Sequence, residues 1–205
     1  VTLRDAQRQE RSIDGNDPVT LFEYLAIAYS LVFSFAALRL VAGLPHAMDP
    51  ARRYSTHVIY VCMSIFATTA LFWTFWSSRE ADWTFPRFLL QLSGPGMVYY
   101  LACVLIPDQP SLVESWQDYF FSVRSRYFGG LCIWAVVMMF NSTLLLDTPL
   151  LHPVRLVQVG VLSLGVAGLA SDDPRVHRLI LVWGALLVVL ATVVLLRPGP
   201  LAAAA

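Results

Sequence analysis

The chain has 205 residues, 57% hydrophobic and 14% charged, with a mean hydropathy of +0.62. An ordinary soluble domain carries about 25% charged residues, so this composition excludes a disordered chain and argues against a water-soluble globule. The 14 basic and 14 acidic residues cancel, leaving no basic surface for nucleic acid.

Residues 1–17 are polar, carry Arg4, Arg8 and Arg11, and lack an apolar core, so they do not read as a signal peptide. A spanning helix needs about 20 mostly apolar residues, and six runs qualify or come close. Leu21 to Leu44 is the first. Asp17 with Pro18 offers an N-cap and first-turn proline, and Thr20 with Glu23 an alternative capping box. Pro45 is expected to stop this run. The second run is Thr56 to Ser77, and the third is Phe88 to Ile106, ended by Pro107. Within the third, Pro95 in Ser93-Gly94-Pro95-Gly96 predicts a bend or local unwinding, because proline cannot donate to the helical ladder.

Ser111 and Glu114 then read as a capping box. From Leu112 to Tyr127 the apolar residues recur at helical spacing, which predicts an amphipathic interfacial helix over 111–127. The fourth span is Phe128 to Leu146, the fifth Val154 to Ala170, and the sixth Val176 to Leu196. The fifth is the shortest and holds Gly160, Gly165 and Gly168. The runs are apolar at both odd and even positions, unlike barrel strands. The expected fold is therefore all-α: one transmembrane bundle over residues 18–198, with six spans and one interfacial helix. Arginines are balanced between the two faces, so orientation does not follow from them.

Cys62, Cys103 and Cys132 each sit in an apolar run without a CxxC pair, and read as small hydrophobes rather than as disulfide or zinc ligands. Arg39 lies near a span end, placed to snorkel or to pair with a lipid phosphate or a partner's carboxylate. His57, Tyr60, Ser64 and Thr68 form a mild polar stripe on the second span. With Gln91 and Pro95 they outline a polar path. Helix packing is the competing account of the stripe. His57 and His177, both at span starts, are the pair that a membrane haem would need. The aromatic residues near span ends fit a belt at the headgroups, and also offer a stacking surface for a pigment or quinone. No nucleophile–base pair, phosphate loop or intramembrane carboxylate pair is present.

Phe22-Glu23-Tyr24, Trp73-Thr74-Phe75-Trp76, Tyr100-Leu101 running to Pro107-Asp108, and Arg126-Tyr127-Phe128-Gly129 occur together. In these the chain resembles a broad group of small bacterial polytopic membrane proteins without an assigned activity. The resemblance implies an inner-membrane protein of about six helices and transfers no catalytic residue.

The first functional expectation is a non-enzymatic membrane subunit that packs against lipids and other integral membrane subunits, for which a respiratory or photosynthetic complex is a fitting host. Its contact surface is expected at Trp116, Tyr119 and Phe120, with Arg124, Arg126 and Arg39 for headgroups or acidic loops. The alternatives are a transporter or channel for a neutral or weakly polar solute, and a haem- or quinone-binding redox protein.

Overall fold

The computed structural model describes residues 20–195, all of whose regular structure is helical. The polar residues 1–17, the Asp17–Pro18 cap and the terminal alanines lie outside the described residues. Six α-helices follow in order: α1 Leu21–Ala47, α2 Ser55–Thr74, α3 Phe85–Leu105, α4 Trp116–Leu144, α5 Val154–Ala170 and α6 Pro174–Leu195. Short 3₁₀ turns at Phe75–Ser78 and Pro110–Leu112 complete the secondary structure.

Five of these segments are long and apolar enough to cross a bilayer, and α5, with 17 residues, is a shorter apolar helix. The outward faces stay apolar. Ile27, Leu31, Leu38 and Val41 on α1, and Val182, Leu186 and Val189 on α6, are all more than half exposed. In water such surfaces are strongly unfavourable, and in lipid they are the expected exterior. The chain is an integral membrane protein built as a helical bundle.

The capping box at the start of α1 is formed. Glu23 N donates to Thr20 Oγ1 at 3.2 Å, and Thr20 N donates to a Glu23 carboxylate oxygen at 2.7 Å. Pro45 does not stop α1, which continues to Ala47 and closes with Met48 N donating to Leu44 O at 3.0 Å. In the last turn a proline removes only one donor, and the following amides still close the helix.

Pro95 likewise leaves α3 helical throughout, so the unwinding expected at Ser93–Gly96 does not occur. Pro95 is fully buried, and α3 is held between α1 and α4. Packing on both sides keeps the backbone helical across one missing hydrogen bond.

The largest departure from expectation is α4. The helix expected over 111–127 and the fourth span are one continuous element of 29 residues. Its N-cap is Ser115, whose hydroxyl accepts from Asp118 N at 3.3 Å, rather than the Ser111–Glu114 box. Nothing between Tyr119 and Phe128 breaks a helix, so the two apolar patterns join. At 1.5 Å per residue α4 is about 43 Å long, longer than the roughly 30 Å hydrocarbon layer.

Packing closes a ring in the order α1–α3–α4–α5–α6–α2, with α2 also touching α3 and α4. The glycines of α5 allow its close fit. A Cβ at Gly165 would lie 2.4 Å from Cys132 Sγ, and one at Gly168 would lie 2.3 Å from the Phe128 ring. Successive helices run in opposite directions, so the bundle has two ends. One carries Thr20, the α2–α3 link and the α4–α5 link. The other carries the α1–α2, α3–α4 and α5–α6 links.

Candidate functional site: a two-compartment cavity in the helical ring

The residues expected to form a contact surface are at the second end, and most of them are internal. Trp116 and Phe120 are both 0% exposed. Trp116 Nε1 donates to His46 O at 2.8 Å, and its ring stacks on His57 at 4.8 Å. Tyr119 donates its hydroxyl to Val104 O at 2.8 Å. These three side chains hold the α1, α2 and α3 ends together; Trp116 and Phe120 have no exposed surface for docking, and Tyr119 is half-buried. The amphipathic pattern was that of a core-facing stripe on a helix packed against protein.

The arginines divide in the same way. Arg124 donates to the carbonyls of Gly168, Leu169 and Ser171 and pairs with Asp172, closing the C-terminus of α5. Arg39 donates to Ile106 O at 3.0 Å and pairs with Asp108 at 2.5 Å. The carboxylate it finds is therefore the chain's own. Arg126 is exposed and is in none of the ion pairs among the described residues.

His57 and His177 are both fully buried, and Phe120 lies close to each. Its ring centroid is 6.0 Å from that of His57 and 5.2 Å from that of His177. Tyr60 stacks on the same phenylalanine at 5.4 Å. His177 Nε2 is engaged with Ser171 O at 2.9 Å. The space that a macrocycle between the two imidazoles would need is filled by side chains, so the haem reading does not fit this cluster. Among the described residues no group of three or more His, Cys, Asp or Glu is arranged to hold a metal ion.

The proposed polar path is partly assembled. Ser64 and Thr68 line a central chamber of about 190 Å³, to which all six helices contribute. Thr68 Oγ1 donates to Ser64 O at 2.7 Å, and the Ser64 and Tyr127 hydroxyls are 3.3 Å apart. Otherwise the walls are mostly apolar, with Leu71, Leu101, Leu164 and Leu187 among them. Phe66 and Ala67 of α2 and Val188 and Ala191 of α6 border the chamber; Phe66 and Ala67 are also exposed on the outer surface.

Gln91 lines a second cavity of about 150 Å³ nearer the Thr20 end. Leu71, Trp134, Val157 and Val161 border both spaces, which therefore adjoin. His57 and Pro95 border neither cavity. His57 belongs to the aromatic cluster and Pro95 to the packing of α3.

The second cavity gathers polar groups from five helices, with Tyr29 of α1, Thr74 of α2 and Ser77 and Ser78 of the turn after it among them. Besides Gln91 from α3, it has Asn141 and Ser142 from α4 and Gln158 from α5. Gln158 is anchored: its Nε2 donates to Met138 O at 3.1 Å and to Ser142 Oγ at 3.0 Å. Its Oε1 accepts from Arg155 at 2.9 Å. Arg155 donates further to Met139 O, Ser142 Oγ, Thr143 Oγ1 and Thr148 O, and has no carboxylate partner among the described residues. This fixes one wall of the cavity and keeps the cation directed at protein oxygens.

Asn141 differs from its neighbours. It is 5% exposed, and neither Nδ2 nor Oδ1 has a hydrogen-bond partner. Trp134 Nε1, on the wall shared by the two spaces, is also without one. A buried polar group left unpaired costs about 1–3 kcal/mol, so such groups need an explanation.

Asn141, Ser142 and Gln158 are single neutral polar residues in apolar runs, which in sequence alone do not join into a site. Their signal was depth. They lie at similar distances on either side of the α4–α5 turn, so antiparallel packing brings them to one level. No protein-family model, curated protein or solved structure matches this chain.

Proposed function

We propose that the chain is a non-enzymatic integral membrane protein that holds a small, weakly polar, lipophilic molecule within its helical ring, as a carrier or a binding subunit. The observation that carries this reading is the unpaired amide of Asn141 at a polar cavity adjoining an apolar chamber. Ligand sites typically combine apolar walls with a few convergent polar groups, and this arrangement has both. Under this reading the neutral-solute alternative is centred on Gln91 and Asn141 rather than on His57 and Pro95.

The test is native mass spectrometry of the chain extracted from its own membrane. The expected result is a bound small molecule that is lost when Ala67→Phe and Val188→Phe narrow the chamber. A chain equally bare of adducts before and after the substitutions would overturn the reading.

Membership of a larger complex remains a second proposal, with a different carrier. Leu150 and Leu151, in the α4–α5 link, are 83% and 98% exposed, and a partner subunit would cover them. Co-migration with other membrane subunits in gentle detergent, lost in Leu150→Ser with Leu151→Ser, supports this proposal. Migration as a lone protein before substitution counts against it.

A further inference from the structure

We infer that the two adjoining cavities take one single-chain amphiphile with an uncharged head: the head in the polar cavity at Asn141 and Trp134, the hydrocarbon chain in the central chamber. This inference rests on the binding reading above and specifies its ligand.

Three observations select the class. The first is the division of chemistry. One compartment presents Gln91, Asn141, Ser142 and Gln158, while the other is walled mainly by aliphatic and aromatic side chains. A molecule filling both is polar at one end only.

The second is the kind of polarity on offer. Asn141 supplies one unused acceptor and an amide donor group, and Trp134 Nε1 one further donor. A hydroxyl-bearing head matches this set, because a hydroxyl both donates and accepts. No Asp, Glu, Lys, Arg or His lines either cavity. Arg155, behind the Ser142 and Gln158 wall, gives both terminal nitrogens to protein oxygens, and its Nε, though unpartnered, does not line either cavity. An anionic head would lose its hydration without gaining a facing charge, at a cost of several kcal/mol.

The third is size. Volumes of about 190 and 150 Å³ together reach only the lower end of the roughly 300–1,000 Å³ typical of small-molecule sites. That suits one chain and excludes a two-chain phospholipid. Tyr127, beside the far end of the chamber, and Asn141 are fourteen residues apart on α4, about 21 Å along a helix. A long-chain alcohol is of comparable length.

The direction of insertion follows from the two ends of the space. At the far end Tyr60 has one free hydroxyl, and the hydroxyls of Ser64 and Tyr127 satisfy each other. At the near end an entire amide is unpaired. The head therefore belongs at Asn141 and the chain terminus near Tyr60. Phe66 and Ala67, which line the chamber and are also exposed outside, mark a lateral route from the bilayer beside α6.

The experiment uses the full chain in phosphatidylcholine nanodiscs with hexadecanol carrying a photoreactive diazirine at its chain terminus. Labelled residues are mapped by mass spectrometry, with hexadecanol, palmitate and hexadecane as competitors at alkaline pH. Labelling is expected around Tyr60 and Ser64. Hexadecanol should compete about tenfold better than either rival, the equivalent of one lost hydrogen bond of roughly 1.4 kcal/mol. Asn141→Leu should reduce labelling by a similar factor, while Ser34→Ala on the outer face of α1 leaves it unchanged.

Chamber labelling competed equally by hexadecane or palmitate would overturn the neutral-head assignment while leaving a lipophilic binding site. Labelling at Asn141 and Trp134 in place of Tyr60 would overturn the direction of insertion. Labelling confined to outward-facing residues would overturn both this inference and the reading on which it rests. The competition order is read on the unsubstituted protein, so it stands even if Asn141→Leu fails to fold.

Discussion

Trp116 and Phe120 fill the interior between α1, α2 and α4 with no exposed surface. Trp116→Ala or Phe120→Ala is therefore expected to destabilise the protein by about 3–5 kcal/mol, seen as a fall in thermal midpoint, rather than to release a partner from an otherwise intact fold. A midpoint unchanged by either substitution would place these rings outside the core. Asp147 is the one non-glycine among the described residues with a positive φ, 45°. Its replacement by Ala should cost about 1 kcal/mol, because alanine is less tolerant than aspartate of the left-handed region. Asp147→Gly should cost less than Asp147→Ala, and the reverse order in a melting series would count against backbone strain as the cause. Asp49 lies between α1 and α2, outside the spans. The Arg52 guanidinium, with help from Ala51 N–H, holds its carboxyl below the usual carboxylate range. A lowered folded-state pKa contributes stability above the unfolded pKa, and that contribution is lost as pH falls through the folded value. The stability difference between the wild type and Asp49→Asn should accordingly hold from neutral pH down to the carboxylate range and close on further acidification.

At the scale of the element, α4 organises the second end of the bundle. From its third turn Arg124 reaches the open carbonyls of α5. Those carbonyls belong to the last turn, which has no intrahelical donors. Arg124→Met removes the donors without removing the stem, and should destabilise the protein by about 1–3 kcal/mol. Hydrogen exchange should accelerate at the α5–α6 junction before it does elsewhere. Uniform protection in that variant would mean that water replaces the guanidinium at no cost. The same element shows why pattern alone misplaced an interface. A period of 3.6 marks which face is apolar, but not whether protein or lipid covers it.

At the scale of the molecule, the decisive element is α5. Its 17 residues are near the lower limit for a span, yet it packs between α4 and α6 as a ring member. If α5 crosses the membrane, single cysteines at Glu80 and Leu151 should label from one face, and those at Arg53 and Asp173 from the other, in a background lacking Cys62, Cys103 and Cys132. Labelling of Leu151 and Asp173 from the same face would reduce the spans to five.

Much of this was legible in the residues. Uninterrupted apolar runs have one backbone solution in lipid other than a closed barrel, because every amide must be satisfied within its own segment. The six apolar runs, the approximate bounds of all but α4, and the Thr20–Glu23 cap follow from that constraint and from local hydrogen bonding. So do the α1–α2, α4–α5 and α5–α6 pairings, where short links oblige neighbours to pack. The closure of the ring by α6 on α2 and the seating of α3 between α1 and α4 were not legible, because these contacts join helices whose order is not their chain order. Arg39 could be placed at a span end, but its pairing with Asp108 depended on that seating. The cavity is a product of the same closure. Gln91, Asn141 and Gln158 are ordinary polar residues on three separate helices, and only the tertiary structure brings them to one level and leaves Asn141 unpaired. Local chemistry determined the helices, and long-range packing decided what they enclose.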